Sequence, residues 1–552
     1  MNILLVSLNS RYIHVTPAPY ALGAGVLAYA KHPHAVRVID RTVNDEEEKL
    51  SALLCAEEAD LYAFSVYIWN VSPVARLVKE VRRAHPRARI LLGGPEVSYD
   101  VPHFFSAMPE VDYILSGEGE RPFALLADAL AEGKEPSDIA GCSYRKGDGT
   151  LHVAPPYIAE DDPPSPLAFG YGEALQGRIA YIETSRGCPY SCAFCLSGRV
   201  GGVRFFDLER VKKDILSLAA CGAKTVKFVD RTFNADRRRA RELFSFLLSE
   251  RGKGIPSHVC FHFEIAGELL DEETLSLLKT VPKGYFQMEA GVQSLNEATL
   301  TAIHRSPRTE HLLACLRTLL SYKNIHTHMD LIAGLPFEDL PSFENSFNGV
   351  FALRPHMLQL GFLKLLRGAP MRENRADFPC AFAEAPPYTV LSTPCLSKED
   401  LAFIKTAEEG CDRLYNSRRY LWTVELLLES AAFSPFRLFA LAGEKLNALP
   451  QGYTLNDEMA LLFEAFRGFV HENALLDALR RDFAESNSSC RLPPVLRMEG
   501  AEAQKRHKAL LSALPKSNGR RSLILLSTGE ALVTEYGEKD PVTGRYASQI
   551  LK

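Results

Sequence analysis

The 552-residue sequence lacks the marks of a membrane protein, a nucleic-acid binder or a disulfide-rich secreted domain. No apolar run reaches the roughly 18 residues that a transmembrane helix needs, so we expect no membrane span. Lys and Arg number 63 against 68 Asp and Glu, and the resulting net charge of −5 disfavours a general nucleic-acid partner. Twelve cysteines in no regular framework are typical of a reducing compartment, and we expect a cytoplasmic protein.

Three of the cysteines crowd into one short stretch. Cys188, Cys192 and Cys195 have the spacing C-x3-C-x2-C, and Gly187 and Pro189 favour a loop over a helix there. So short a loop brings the three sulfurs toward one point. Structural zinc prefers a closed shell of four ligands, usually from two separated C-x2-C pairs. Neither a His nor a Cys follows closely enough to complete such a shell.

An iron–sulfur cluster fits this trio better than zinc. Thiolates ligate such clusters, and three of them leave one iron open to a substrate. Three free or packing cysteines are the alternative, although buried thiols rarely crowd a polar loop of this kind.

The cysteine spacing, with Phe194 directly before the last cysteine, resembles the signature of the radical S-adenosylmethionine (SAM) superfamily. The resemblance implies that Cys188, Cys192 and Cys195 hold a [4Fe–4S] cluster and that Phe194 lies beside the cofactors. In that superfamily the open iron binds SAM, and one electron cleaves it to methionine and a 5′-deoxyadenosyl radical. A reductant such as flavodoxin or ferredoxin is then an expected partner.

Strands and helices alternate along the first part of the chain, about residues 1–140. This alternation is typical of parallel strands joined by right-handed crossovers. We therefore predict an α/β protein that begins with a Rossmann-like domain around a doubly wound parallel sheet. Such a sheet binds ligands beyond the carboxyl ends of its strands.

Two glycine-rich loops follow the fourth and fifth predicted strands. Residues 93–96 read Gly-Gly-Pro-Glu and residues 117–120 read Gly-Glu-Gly-Glu. Glycines at such places either form tight turns or let a bulky ligand approach the backbone, and the residues alone leave both interpretations open. The first domain has no Gly-x-Gly-x-x-Gly motif, which disfavours a dinucleotide.

These loops, placed before a cysteine trio, look like those of the cobalamin-binding domain that precedes many radical SAM barrels. The resemblance implies a cobalamin site in the first domain. The residues that it assigns to this site are Gly93, Gly94, Glu96, Gly117, Glu118 and Gly119. The Asp-x-His-x-x-Gly motif that supplies a cobalt-ligating histidine is absent, and the corresponding loop carries His14 in another context. We therefore expect cobalt without a histidine ligand from the protein.

The rest of the chain divides into three further segments. Residues 141–178 are rich in proline and predict a linker. Residues 179–375 contain six strand–helix units, which predict a partial TIM-like (β/α)6 barrel with its chemistry at the carboxyl ends of the strands. Residues 376–552 predict a mostly helical C-terminal extension without a chemical motif. It looks like the extension in one subgroup of cobalamin-binding radical SAM proteins.

The barrel carries a second motif of the superfamily. Residues 289–294 read Glu-Ala-Gly-Val-Gln-Ser and match the fourth-strand pattern Glu-x-Gly-x-Gln-Ser. The resemblance implies that Glu289, Gln293 and Ser294 face SAM.

Two further positions are assigned by resemblance alone. Residues 332–338 resemble the fifth-strand pattern Ile-x-Gly-x-x-x-Glu, in which the segment around Gly334 packs the adenine of SAM. Asp230 follows the second barrel strand, where family members bind the amino group of SAM.

The resemblance implies a radical SAM enzyme, and the cobalamin-type domain favours C-methylation of a substrate. A cobalamin-dependent rearrangement or ring-forming reaction without methylation is one alternative. A non-catalytic cobalamin- or metal-responsive binding protein is another. A methylthiotransferase is disfavoured, because such enzymes carry further cysteines in a first domain that here has only Cys55. The sequence identifies neither a catalytic residue nor the substrate, which we expect to be a small molecule or a peptide.

Overall fold

The structure is a computed structural model that describes residues 1–199, 201–430, 433–489, 491–498, 500–515 and 519–551. The chain divides into two compact units. The first unit comprises residues 1–264 and 364–390, and the second comprises residues 265–363 and 391–552. The predicted domain boundaries at residues 140, 178 and 375 stay a prediction.

The N-terminal part contains seven strands and five helices. In chain order they are β1 (Asn2–Asn9), α1 (Ala18–Tyr29), β2 (Ala35–Thr42), α2 (Glu47–Ala56), β3 (Leu61–Ser65), α3 (Val71–Ala84), β4 (Arg89–Gly93), α4 (Val101–Ala107), β5 (Tyr113–Leu115), α5 (Glu120–Ala131), β6 (Cys142–Arg145) and β7 (Leu151–His152).

The first strand shows why this sheet is covered on both faces. Successive side chains of a strand point to opposite faces. Leu4 and Val6 pack into a core with residues of α2, α3 and α4, whereas Ile3 and Leu5 pack into another core with residues of α1 and α5. The predicted doubly wound sheet is therefore confirmed.

The strand order of this sheet is β2-β1-β3-β4-β5-β6-β7. Strands β1 to β5 pair in parallel, and β6 and β7 add an antiparallel edge. The predicted linker at residues 141–178 thus begins with two strands that its sequence did not predict. Cys142, Ser143 and Tyr144 of β6 are buried. A strand of four residues is too short to show a clear alternation of apolar and polar side chains.

The described residues from 179 to 199 and from 201 to 362 form eight strands and six α-helices. They are β8 (Ile179–Ile182), β9 (Ser185–Cys188), β10 (Gly202–Phe205), α6 (Leu208–Ala220), β11 (Thr225–Phe228), α7 (Arg237–Glu250), β12 (Cys260–Ile265), α8 (Glu272–Lys279), β13 (Phe286–Gln293), α9 (Glu297–Ala302), α10 (Thr309–Ser321), β14 (His326–Ala333), α11 (Leu340–Phe351) and β15 (Met357–Phe362).

Six of these strands form a parallel sheet in the order β15-β14-β13-β12-β11-β8. This confirms the predicted α/β class and the six strand–helix units. Capping residues set the start of most crossover helices: Asp207, Asp236, Asp271, Asn296 and Asp339 each accept a hydrogen bond from the backbone N–H three positions later. Such side chains satisfy amide groups that a helix cannot pair internally.

The remaining elements belong to the end of the chain. They are α12 (Pro370–Glu373), β16 (Ala381–Phe382), β17 (Val390–Ser392), α13 (Lys398–Cys411), α14 (Leu421–Ser430), α15 (Pro435–Asn447), α16 (Leu455–Phe466), α17 (Glu472–Ser486), α18 (Ala501–Ala513), β18 (Arg521–Leu525), β19 (Ala531–Glu535) and β20 (Ser548–Leu551). The predicted helical extension is confirmed, with a three-stranded antiparallel sheet of β18, β19 and β20 at its end. Among the described residues, every helix is too short or too polar to cross a membrane.

Candidate functional site

The cysteine loop joins two short antiparallel strands of the first unit. β9 ends at Cys188, which lies opposite Gly202 of β10. Cys192 is buried, whereas Cys188 and Cys195 are half-buried. Phe194, the predicted cofactor neighbour, is also half-buried. The three thiols therefore share one loop that begins and ends on paired backbone.

Hydrogen bonds hold this loop in a compact conformation. The backbone N–H of Cys195 donates to the carbonyl of Cys192 (3.0 Å), and that of Met371 donates to the carbonyl of Ala193 (2.9 Å). The N–H of Ser197 donates to Sγ of Cys195 (3.4 Å). Three thiols with an amide donor beside one of them form a donor set that suits an iron–sulfur cluster.

Asp230 fastens the backbone that leads into the cysteine loop. Its carboxylate accepts hydrogen bonds from the N–H of Thr184 (3.1 Å), from Oγ1 of Thr184 (2.7 Å) and from Oγ of Ser185. Burial raises the pKa of Asp230 to about 6, although the same hydrogen bonds act to lower it. The proposed contact of Asp230 with the amino group of SAM stays a prediction.

A large cavity lies at the carboxyl ends of β1, β3, β4 and β5, where a doubly wound sheet binds ligands. Its volume is about 620 Å³, and five of the six positions predicted for cobalamin line it: Gly93, Gly94, Gly117, Glu118 and Gly119. Tyr67 and Trp69 also line it, with their rings stacked at 4.4 Å and only 5° between their planes. Trp69 is 43% exposed. A large cavity with a flat aromatic surface fits a planar macrocycle such as the corrin ring.

His14 lines the same cavity but is held by a neighbour. Its Nδ1 lies 2.6 Å from the hydroxyl of Tyr181. Burial lowers the pKa of His14, and the nearby Arg11, Lys227 and Arg178 lower it further. The imidazole is therefore neutral at pH 7.

Close backbone packing explains two of the cavity glycines without any ligand. A Cβ atom on Gly94 (φ +113°) would lie 2.5 Å from the carbonyl oxygen of Val66, and one on Gly117 (φ +87°) would lie 2.2 Å from that of Tyr157. Both positions also have positive φ, which L-residues rarely adopt. Tight turns and a ligand site therefore coincide in these loops.

The structure gives Glu96 and Glu118 protein partners. Glu96 is buried away from the cavity lining and accepts a hydrogen bond from the hydroxyl of Tyr388. Glu118 reaches the cavity but pairs with Arg186 (2.6 Å) and Arg204 (2.6 Å). Each carboxylate is thus bound by a group from a distant segment, and the predicted contacts of Glu96 and Glu118 with cobalamin stay predictions.

In the second unit, the predicted SAM-facing residues lie on neighbouring strands. Glu289 of β13 is in register with His328 of β14. Nδ1 of His328 lies 3.6 Å from Glu289, and its Nε2 lies 2.7 Å from Oδ1 of Asp330. Burial acts to lower the pKa of His328, but the two carboxylates outweigh it and raise the pKa to about 9. These three side chains are close enough to hold a metal ion, and an imidazolium at His328 offsets one of the two carboxylate charges.

Gln293 is strained and offers an unused acceptor. Its φ is +69°, which is costly for a residue with a side chain. Its Oε1 is buried and accepts no hydrogen bond from the described residues. A Cβ atom on Gly291 would lie 2.1 Å from Nε2 of Gln293, so the glycine of the motif makes room for that amide. An orphaned acceptor fits SAM, which brings hydroxyl and amino donors.

Ser294 and Gly334, which were also predicted to contact SAM, lie in surroundings that differ from those of Gln293. Ser294 is fully buried and donates from Oγ to Oε1 of Glu338 (2.6 Å), as Oγ of Ser346 also does (2.9 Å). Gly334 directly follows β14 with φ +90°. The predicted contacts of Glu289, Gln293, Ser294 and Gly334 with SAM stay predictions.

Three family models match the chain. They are the B12 binding domain at residues 13–127, the radical SAM superfamily at residues 182–348, and a protein of unknown function (DUF4080) at residues 376–521. The chain is a radical SAM protein with a B12-binding domain. These two domains imply a [4Fe–4S] cluster, SAM and cobalamin as its cofactors.

Relatives of this radical SAM protein include named methyltransferases. It is 30% identical over 336 residues to the cobalamin-dependent radical SAM methyltransferase TokK of Streptomyces tokunonensis, covering 57% of this chain and 48% of that protein. It is 28% identical to the 2-(S-pantetheinyl)-carbapenam-3-carboxylate methyltransferase of Streptantibioticus cattleyicolor, covering 54% and 46% of the two chains. The chain thus spans about half the length of these relatives.

The fold of the radical SAM protein also resembles a solved structure. The cobalamin-dependent SAM radical enzyme OxsB, with aqua-cobalamin and SAM bound, matches with a TM-score of 0.61 at 14% identity. The match covers 87% of this chain and 83% of OxsB. At that identity the likeness establishes the fold alone.

Sequence reasoning missed several residues of the radical SAM protein that shape the site. Arg186 and Arg204 bind Glu118, Tyr388 binds Glu96, and His328 lies between two carboxylates. A local signal existed only for His328, which precedes Asp330 by two residues and therefore shares its face of a strand. The other partners come from distant segments.

We predict that Glu338→Gln alters the pH dependence of stability. Burial raises the pKa of Glu338 from 4.5 to about 7. A raised pKa stabilises the fold below pH 4.5, and the contribution is lost as the pH rises through 7. At roughly 1.4 kcal/mol per pKa unit, wild type should lose about 2 to 3 kcal/mol relative to the variant between pH 5 and 8. Urea unfolding at several pH values measures this difference, and parallel stability curves would contradict it.

We predict that Gly117→Ala destabilises the apoprotein, that is, the protein to which no cofactor is bound. The added Cβ would overlap the carbonyl of Tyr157, and overlap plus positive φ should cost about 3 kcal/mol or more. Gly149→Ala is the matched control, because Gly149 has φ +82° but nothing within 4 Å of its Cβ position. Thermal unfolding of the apoproteins tests this. Equal melting temperatures for the two variants would contradict the prediction. They would mean that a glycine is needed at position 117 only for ligand binding.

Proposed function

We propose that this radical SAM protein is a cobalamin-dependent methyltransferase that methylates a carbon atom of its substrate. One observation carries the proposal: a single compact unit contains both the three-cysteine loop and the large cavity at the carboxyl ends of the N-terminal sheet. The names of two relatives, both methyltransferases, support this choice over a reaction without methylation.

The residues of the chain would hold and orient the reacting groups. When bound, the cluster and SAM supply a carbon radical, and cobalamin supplies a methyl group. Cys188, Cys192 and Cys195 would hold the cluster, and Asp230 would keep their loop in place. Gln293 would accept a hydrogen bond from SAM through its unused Oε1.

The proposed cobalamin site would bind its ligand through complementary shape more than through charge. The stacked rings of Tyr67 and Trp69, which line the cavity, would offer a corrin ring a flat aromatic surface. Glu118 and Glu120 line the cavity, and each is paired with arginine. Nδ1 of His14 is held by the hydroxyl of Tyr181, and cobalt without a histidine ligand from the protein stays a prediction that rests on the absent Asp-x-His-x-x-Gly motif. The substrate, a small molecule or a peptide, and the external reductant stay predictions.

Cys192→Ala should abolish cluster assembly, because two thiolates cannot replace three around one cluster. We expect loss of iron and sulfide and no 5′-deoxyadenosine on incubation with SAM and dithionite. Cys395→Ala is the control, since Cys395 is exposed and far along the chain from the loop. A Cys192→Ala protein that still forms 5′-deoxyadenosine would refute the cluster assignment. A wild-type protein with a cluster but no 5′-deoxyadenosine would favour a non-catalytic binding protein.

The cobalamin assignment predicts retention of about one cobalamin per chain after anaerobic reconstitution with hydroxocobalamin and desalting. After reduction, SAM with a deuterated methyl group should convert this cobalamin to labelled methylcobalamin. Visible spectra and mass spectrometry follow both steps. Retention without methylcobalamin would favour a rearrangement or ring-forming reaction. A cluster without retained cobalamin would remove the main support for methyl transfer.

A further inference from the structure

A partly buried network of charged side chains lines the cavity. Nη1 of Arg186 lies 2.6 Å from Glu118, and its Nη2 lies 2.6 Å from Glu120 and 2.7 Å from Glu183. Glu118 and Glu120 belong to the Gly-Glu-Gly-Glu loop that follows β5. Arg186 lies on β9, two residues before the cluster cysteine Cys188. The network therefore joins the cobalamin-type loop directly to the cysteine loop.

The partner strand of β9 supplies a second guanidinium. Arg204 of β10 lies opposite Arg186 in the antiparallel register and pairs with Glu118 at 2.6 Å. Phe206 is 2% exposed, and the guanidinium groups of Arg186 and Arg204 each lie 5.8 Å from its ring centre. Both strands that carry the cysteine loop are thus held by the same carboxylate and the same ring.

Glu120 depends on Arg186 for its charge. It is 7% exposed and is the first residue of α5. Burial acts to raise the pKa of Glu120, but the charge and the hydrogen bonds of Arg186 lower it overall. The carboxylate is therefore ionised at pH 7 and shares its guanidinium with Glu118 and Glu183. Removing either partner of a buried ion pair of this kind is costly, because the other charge is then left without a partner.

We propose that Glu118, Glu120 and Arg186 are positioning residues that set the distance between the cluster and the cobalamin. The inference rests on the proposed function, and it gives Glu118 a role different from direct cofactor binding. Because the carboxylates of Glu118 and Glu120 are held by guanidinium groups, the Gly-Glu-Gly-Glu loop acts on the reaction through the cysteine loop. Transfer between two cofactors depends steeply on their geometry, and a misplacement of about 1 Å can cost on the order of 100-fold.

The first test needs no cofactor. Hydrogen exchange is compared for wild type, Glu120→Gln, Arg186→Lys and the double variant. Loss of the network should speed amide exchange in residues 183–188 and 117–121 in both single variants. The double variant should be no worse than Arg186→Lys alone, because Glu120 acts on this segment through Arg186. Glu57→Gln is the control, since it removes a carboxylate from another ion pair of the same domain, with Arg37. Unchanged exchange in both single variants would overturn the proposal, whatever the fate of the proposed function.

The second test uses the reconstituted holoenzyme. Pulsed EPR measures the dipolar coupling between cob(II)alamin and the reduced cluster. We expect Glu120→Gln and Arg186→Lys to retain both cofactors, to broaden the distance distribution, and to lower the ratio of methylcobalamin to 5′-deoxyadenosine at least about tenfold. An unchanged distance distribution and ratio would overturn the positioning role. Wild type that binds no cobalamin would instead refute the proposed function, and the exchange experiment would still decide whether the network holds the loop.

Discussion

Three consecutive residues, Thr184, Ser185 and Arg186, carry the interactions on which the candidate site depends. Asp230 accepts hydrogen bonds from the first two, and Glu118 and Glu120 bind the third. A buried carboxylate without partners costs several kcal/mol, so these groups and the backbone between them hold one another in place. The cysteine loop starts two residues later and inherits that fixed geometry. This matters for cluster chemistry, because three thiolates must converge on one cluster.

The second unit holds its own polar residues by similar means. Glu338 accepts from Ser294 and Ser346 in a fully buried position, which ties the end of β13 to the start of α11. Gln293 next to this contact has positive φ and an unused buried acceptor. Strain and unsatisfied polarity are tolerated only where surrounding structure enforces them, and they concentrate at functional sites. The buried serine–glutamate contact supplies that enforcement.

The N-terminal cavity shows how one motif serves two purposes. Gly94 and Gly117 are required by close backbone contacts, and the same turns leave room at the carboxyl ends of the strands. The glutamates of the two loops bind different partners. Glu96 binds Tyr388, which lies 292 residues away in the sequence, whereas Glu118 binds the cysteine-loop strands. Glycine-rich loops can thus shape a ligand cavity while their charged residues bind neighbouring segments.

The sequence by itself determined the two parallel sheets, the cysteine trio and the motif positions on strand ends, because these depend on hydrophobic periodicity and short-range spacing. It also predicted the helical extension. The antiparallel strands β6 and β7 escaped prediction because they are only four and two residues long. Only the tertiary structure decided what each carboxylate binds. Arg186, Arg204 and Tyr388 reach Glu118 and Glu96 across large sequence separations, and their own local sequence carries no sign of those partners. Fold follows from local pattern, whereas the charge pairs that position the site follow from which distant segments the fold brings together.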